Sequence, residues 1–508
     1  MPAGHLLPVH NPSTVHRLRR RPASVVLLLL AGALGLATIP SWPGRAHAAG
    51  AAPAHETMRP VTLAVQKTKL ANGLEVITHE DHRTPIVSVN LWYHVGSKDE
   101  PAGKNGFAHL FEHVMFQGSK HVPEDTYFLD LERAGASSIN GSTSTDRTNY
   151  FETVPANRLE LALWLESDRM GFLLDHVDQA TFAGQRDVVK NERRQNYENA
   201  PYGMLEQFIC QELYPKDHPY HLLTIGSPED LDAATLDDVK AFFRTWYVPN
   251  NATLVISGDV DAATAVALAE KYFGAIPAGV VPDRAKWDNP PPVHVPVPKM
   301  LDVVAGVDLP RVYMAWPTPP SFKSGDGELD LVANVLTGGK TSRLYKRLVY
   351  DMQIAESVEA YEDSAQLGSK FVIVATAQPK HTAEELRAAI DAELTRLFSA
   401  GITEEELTRA KSNALSGIVF SLERDTDRAN RINMYNQIAR DPSFLPADME
   451  RYASATVGKV AEAAKQYLPF DQRILAIVTP DKSAPVSGTL RGVHELPPAA
   501  IANAGGAR

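Results

Sequence analysis

One cysteine, Cys210, stands in 508 residues. It has no intrachain partner for a disulfide and cannot build a thiolate zinc cluster, so any metal site must draw on His, Asp and Glu. The chain also lacks an excess of basic residues. Its 50 Lys and Arg stand against 61 Asp and Glu, a formal net charge of −11. That balance gives no general pull toward phosphate backbones, and no nucleic-acid partner is expected. A third absence is a membrane-length apolar run. Residues 25–39 fall short of the roughly 20 residues that span a bilayer, and Pro40 and Pro43 follow directly, so no stable membrane anchor is expected. What is present is ordinary for a globular protein: 44% hydrophobic and 22% charged residues, in a chain long enough to bury more than one core.

The N-terminus reads as an address. Arg17, Arg19, Arg20 and Arg21 precede the apolar run, and Ala46-His47-Ala48 puts small residues at the two positions a signal peptidase reads. Residues 1–48 are therefore expected to be an export signal, which places the mature protein in the periplasm or outside a bacterial cell. No cysteine lies near that cleavage site, so a lipoprotein anchor is excluded.

Residues 74–77 and 87–92 read as strands, and helical periodicity appears at 107–116, 158–174 and 181–197. Strands followed by helices predict an α+β fold, not a doubly wound sheet. Pro290-Pro291-Pro292 marks a stiff connector. The stretches on either side of it end alike. Residues 242–260 and 463–482 each read as an amphipathic helix, a break at Tyr247-Val248-Pro249 or Tyr467-Leu468-Pro469, a strand and an acidic turn. A duplicated unit of roughly 200 residues follows, a usual domain size. The expected layout is a signal at 1–48, a leader at 49–66, a first domain at 67–275, a linker at 276–297, a homologous second domain at 298–486 and a flexible tail at 487–508. Each domain is expected to be a mostly antiparallel sheet covered by helices.

The chemistry-bearing segment is residues 106–116, Gly-Phe-Ala-His-Leu-Phe-Glu-His-Val-Met-Phe. On a helix, His109, Glu112 and His113 fall within an arc of roughly 100°. Two imidazoles four residues apart can grip one Zn²⁺, and the carboxylate beside them can take a proton from water. A string of this kind arises by chance in roughly a few per cent of chains with this histidine content, so a third ligand is needed. Glu192 is the best candidate. Gln185, Val188, Val189 and Glu192 share one face of a helix, flanked by the solvated Lys190, Arg193 and Arg194. An inward carboxylate there needs a partner, which a metal would supply. Read alone, the same Glu192 also fits an ordinary charged surface. The segment Gly338-Gly339-Lys340-Thr341-Ser342 is not a Walker A loop, since Asn334 stands where its first glycine belongs.

These motifs resemble the pitrilysin or insulinase metallopeptidases, whose inverted zinc motif gives the inverzincins their name. The resemblance rests on VGSKDEPAGKNGFAHLFEHVMFQGS at 95–119, NGSTSTDRTNYF at 140–151, QRDVVKNE at 185–192 and GGKTSRLYKRL at 338–348. Length and layout are similar to the short members, among them the mitochondrial processing peptidase subunits and bacterial relatives. The resemblance implies that His109, His113 and Glu192 bind zinc and that Glu112 is the general base. It also implies an edge strand at 140–145, with Asn140 at the substrate, where a peptide adds as a further strand.

Two positions depart from the family pattern. A Glu is usual seven residues before the ligand Glu, and here it is Gln185, a neutral amide beside the metal site. Family proteases also use an Arg and a Tyr, seven apart, to hold the substrate backbone. Anchored on Ser342-Arg343-Leu344-Tyr345, those places hold Val349 and Glu356; Arg343 and Tyr350 are seven apart only if the register slips. The resemblance therefore implies an exported zinc endopeptidase acting on peptides or unfolded segments. It would be the zinc subunit of a heterodimer whose homologous partner lacks the zinc motif and supplies the Arg/Tyr pair. A homodimer that binds substrate differently is the competing arrangement, and a catalytically silent structural or binding subunit is the alternative function.

Overall fold

The computed structural model describes residues 61–284 and 292–496. The expected export signal, most of the leader, the centre of the linker and residues 497–508 lie outside the described residues.

Alternation of apolar side chains sets the first sheet. In β3 (Ile86–Tyr93), Val87, Val89, Leu91 and Tyr93 are buried in one core, while Ser88 and Asn90 lie on the opposite face. With it are β1 (Val65–Lys69), β2 (Glu75–Glu80), β4 (Ser137–Thr143), β5 (Thr148–Pro155) and β6 (Ala252–Gly258). Their order is β1-β2-β6-β3-β5-β4, and only β2 and β6 are parallel neighbours. The second sheet comprises β7 (Lys299–Ala305), β8 (Arg311–Thr318), β9 (Ala355–Asp363), β10 (Ser369–Ala377), β11 (Ile474–Pro480) and β12 (Thr489–Glu495). It runs β12-β7-β11-β8-β10-β9, again with one parallel pair, β7 and β11. Five strands correspond in place and direction. The sixth enters from opposite ends of the chain, as β1 in one sheet and β12 in the other. The architecture is thus α+β, with two like sheets of mostly antiparallel strands and helices upon them.

β12 corrects the expectation of a flexible tail from residue 487. Residues 489–495 pair antiparallel with β7, and Leu490 and Leu496 pack on the cores. The Ala- and Gly-rich end of the chain dilutes this short strand in the composition of the window. Val61 and Leu63 likewise pack on the second core, ahead of the expected domain start at residue 67.

In the first half the helices are α1 (Phe107–Val114), α2 (Thr126–Arg133), α3 (Leu159–Phe172), α4 (Gln179–Arg193), α5 (Leu205–Leu213), α6 (Pro228–Ala233), α7 (Leu236–Trp246) and α8 (Ala262–Phe273). α7 opens with a Thr235/Asp238 capping box, and its counterpart Val457–Tyr467 opens on Thr456, whose side chain caps Lys459 N. Each leads through its proline break into the central strand of its sheet, β6 or β11. Two helices cross between the halves: α5 lies on β8 and β11, and helix Asp425–Met434 lies on β3, β5 and β6. Ala429 and Ile432 of the latter pack on Ile77 and Val255, and Asn433 Nδ2 donates to Asn90 O at 2.9 Å. Each half closes the face of the other's sheet. Among the described residues, no helix is long and apolar enough to cross a membrane.

Candidate metal centre

α1 is held at its N-terminus before any ligand appears. Gly106 caps it at φ 100°, and Phe107, Leu110, Phe111 and Val114 bury the opposite face. Glu100 reaches back to its first turn: Oε1 accepts from Ala108 N at 2.8 Å, and Oε2 accepts from Gly106 N at 3.0 Å and Asn105 Nδ2 at 3.1 Å. Burial pushes the Glu100 pKa up to about 8 against these three donors. With this face anchored, His109, Glu112 and His113 emerge on the other.

α4 brings the third candidate side chain, Glu192. Phe182, Val189 and Arg193 form its buried stripe; Glu192 lies about 60° to one side of Val189 and Val188 about 100° away. Glu192 is therefore at the margin of the packed face, and Val188 is exposed at 43%, contrary to the shared apolar face expected for them. A second correction concerns Arg193, expected to be solvated. It is buried, donating from Nη1 to Gly226 O at 2.7 Å, from Nη2 to Gln207 at 2.7 Å and from Nε to Glu198 at 3.1 Å. Gly226 in turn packs against Gly106, so this arginine braces the helix of Glu192 to the start of the helix of His109.

The structure brings the three side chains together. Glu192 Oε2 lies 3.2 Å from His113 Nε2 and 3.7 Å from His109 Nε2, and a ligand atom from each of the three lies within 4.8 Å of the others. The side chains are 12%, 16% and 20% exposed for His109, His113 and Glu192. Burial pushes the His109 pKa down. Burial alone would raise the Glu192 carboxyl, but the hydrogen bond from His113 and the charges of both imidazoles hold it below the usual value. Asn196, in the π-helical turn Arg194–Glu198, donates to the other Glu192 oxygen at 3.3 Å. Two imidazole nitrogens and a carboxylate oxygen converging on one point form the donor set of a three-ligand zinc site. His109 turns its Nε2 toward Glu192, and its Nδ1 is buried without a hydrogen-bond partner among the described residues. The residues fit zinc.

Glu112 lies near enough for its charge to act on His109, and Thr143 Oγ1 donates to its Oε2 at 2.6 Å. Thr143 ends β4, the outermost strand of its sheet. Asn140 is exposed on β4, and its Oδ1 accepts from Gly141 N at 2.8 Å. Gln185 is half-buried on α4, and its side chain makes no hydrogen bond among the described residues. Thr143 and Glu100 were not among the residues singled out from the sequence. Period-two alternation from Gly141 could have placed Thr143 on the α1 side; Glu100 carries no local signal.

The Arg343 and Tyr350 pairing is disfavoured by their surroundings. Arg343 Nε and Nη2 each donate to Glu406 at 2.7 Å, and Nη2 also to Gly401 O at 2.8 Å, whereas Tyr350 is 73% exposed. Among the described residues, the second half holds no comparable cluster of candidate metal ligands. Helix Asp326–Thr337 starts, like α1, after a left-handed glycine, Gly325. Counting from the two glycines, Glu328, Leu331 and Val332 stand in place of His109, Glu112 and His113.

One candidate metal centre in a duplicated α+β fold of two like six-stranded sheets defines the class of architecture. The model of Insulinase (Peptidase family M16) matches residues 75–223, and that of the Peptidase M16 inactive domain matches residues 233–414. The chain belongs to this family. It is 29% identical over 446 residues to zinc protease PqqE of Helicobacter pylori, covering 85% of this chain and 95% of that protein. The mitochondrial-processing peptidase subunit beta of Lentinula edodes is 24% identical over 428 residues, covering 78% and 86%. The crystal structure of a protease from Helicobacter pylori superposes with a TM-score of 0.76 at 28% identity, covering 82% of this chain and 100% of that one. Relatives named as zinc proteases support a peptidase kind of reaction. The match named for an inactive domain begins at residue 233, after His109, Glu112, His113 and Glu192.

Proposed function

We propose that this chain is an exported zinc-dependent endopeptidase that cleaves peptides or unfolded segments, with His109, His113 and Glu192 as metal ligands and Glu112 as general base. The observation that carries the reading is the convergence of Glu192 Oε2, from a separate helix, on the Nε2 atoms of His109 and His113. Zinc at such a site supplies a Lewis acid that polarises a peptide carbonyl and acidifies water. The protein's own part is orientation and proton movement. Glu112, one helical step from His113, accepts a proton from the attacking water and delivers it to the leaving amine. β4 offers an open sheet edge beside Glu112, on which an extended peptide can pair through its backbone with little side-chain preference. Asn140 lies on that edge as a substrate-binding residue, and Gln185 lends the metal surroundings an amide in place of a charge.

Arg343 is engaged with Glu406, and neither Val349 nor Glu356 can hold a peptide carbonyl as an arginine or tyrosine does. That supports a heterodimer in which a homologous subunit without zinc ligands supplies the pair, over a homodimer. The bounds read from the sequence, with domains at 67–275 and 298–486, belong to the same proposal, with β12 added to the second. The test is cleavage of internally quenched peptides by the zinc-loaded chain, alone and with a homologous partner subunit, beside Glu112→Gln. The reading expects Glu112→Gln to keep its zinc and lose its turnover. A wild-type protein that cuts no faster than this variant under either condition would instead favour the silent structural subunit.

A further inference from the structure

We propose that Thr143 is a positioning residue for Glu112 and that it couples the pairing of a peptide along β4 to the orientation of this carboxylate. The inference rests on the reading of Glu112 as the base. Among the described residues, the Thr143 hydroxyl makes the one hydrogen bond to the Glu112 carboxylate, at 2.6 Å on Oε2. With that oxygen held, Oε1 is left to exchange a proton.

The phase of the hairpin shows why Thr143 can serve both partners. Ser144 N donates to Arg147 O at 2.9 Å and closes the turn. In an antiparallel pair, hydrogen-bonded and non-hydrogen-bonded pairs alternate. Ser142 opposite Asn149 and Asn140 opposite Phe151 therefore turn their peptide groups to β5, and Gly141 and Thr143 turn theirs to the open edge. Gly141 and Thr143 also share the side-chain face toward α1. A Cβ at Gly141 would lie 3.1 Å from Glu112 Cγ and 3.0 Å from Phe116 Cε2. Glycine there lets the strand lie against the carboxylate, and two residues on the threonine grips its oxygen. A peptide strand that bonds to the backbone of Thr143 thus bonds to the residue that orients the base.

The support beneath Thr143 is rigid. Arg147 Nη1 donates to Ser142 O at 2.6 Å and to Asn149 Oδ1 at 2.8 Å. Asp146, at the hairpin tip, accepts from Tyr220 Oη at 2.6 Å and from Gln366 N of the second half at 2.9 Å; its carbonyl accepts from Lys98 Nζ at 2.7 Å and Gln437 Nε2 at 2.9 Å. A hydroxyl delivered from so fixed a loop can set a carboxylate to within the tolerance a proton transfer needs.

The experiment uses the full chain, zinc-loaded and with its partner subunit if one is required, comparing wild type, Thr143→Val, Thr143→Ser and Glu112→Gln. Loss of a hydrogen bond to a charged group predicts that Thr143→Val lowers kcat by about ten- to a hundredfold. KM should stay within about twofold, zinc content should be unchanged, and Thr143→Ser should recover most of kcat. A crystal structure of Thr143→Val should show the Glu112 carboxylate turned from its wild-type position. A wild-type kcat in Thr143→Val, a loss confined to KM, an unmoved Glu112 or a failure of serine to rescue overturns the proposal. If Glu112→Gln is inactive and Thr143→Val is normal, only this inference falls. If Glu112→Gln is as active as wild type, the reading of the base falls, and the inference with it.

Discussion

Replacing Gly106 with alanine puts a methyl group where α1 begins and where no space exists. The residue sits at φ +100°, and a Cβ would lie 2.7 Å from Gly226 Cα and 3.2 Å from both Ile225 O and Leu231 Cδ2. Gly226 offers no relief, since it has φ +84° and its own Cβ would stand 2.5 Å from Gly106 Cα. Two costs add: about 1–2 kcal/mol for a left-handed backbone at a residue with a side chain, and about 1–3 kcal/mol for overpacking against backbone. Gly103 separates them. It is also left-handed, at φ +74°, but a Cβ there meets nothing within 4 Å. Gly103→Ala should therefore show the first cost alone, and Gly106→Ala about 2–5 kcal/mol in total, in urea unfolding of the two variants beside wild type. Because His109 follows three residues later on the displaced helix, Gly106→Ala should also weaken zinc affinity by about tenfold or more in chelator competition, while Gly103→Ala should not. Equal stability losses in the two variants would refute the claim that close glycine packing positions the zinc helix.

Three further outcomes follow from buried charge and from ligand linkage. Burial pushes the His94 pKa down to about 3, below its ordinary 6.5. Between those values the unfolded chain binds the extra proton, so stability falls as pH falls, by up to about 1.4 kcal/mol per pH unit; His94→Gln should flatten that part of the urea-midpoint profile, and an unchanged slope would contradict the assignment. Arg473 is 2% exposed and donates to both Asp391 oxygens, at 2.5 and 3.0 Å. Asp391→Ala strands that cation and should cost about 3–5 kcal/mol, with much of it recovered in Asp391→Ala combined with Arg473→Met. Zinc at a hundred times its Kd should add about 2.7 kcal/mol to wild-type stability, removable by chelation, and Glu192→Ala should show no such gain at the same zinc concentration.

The sequence made the site more legible than its surroundings. His109, Glu112 and His113 obey a local helical spacing, so their common face can be read without knowing what packs on it. Glu192 is legible because a carboxylate among apolar residues calls for a partner, but the buried face of α4 is rotated from the one its apolar residues suggest. Val188 faces outward, and Arg193, which looked like part of a solvated basic cluster, is the buried brace to Gly226. Helical periodicity gives angles within one helix but not the azimuth at which another helix meets it. The duplicated topology showed in the paired helix–proline–strand endings, since each is a local pattern. The exchange of α5 and helix Asp425–Met434 between the sheets left no local trace, because only distant residues decide which sheet a helix covers. Thr143 and Glu100 escaped for the same reason: each acts on α1 from a neighbouring segment.

The most direct measurement is an anomalous-difference map, collected at the zinc edge, from crystals grown with zinc. The account predicts one strong peak about 2.0–2.2 Å from His109 Nε2, His113 Nε2 and a Glu192 oxygen, with Glu112 near the metal but not bound to it. A zinc peak at other residues, or a metal held by the two histidines with Glu192 turned away, would contradict it.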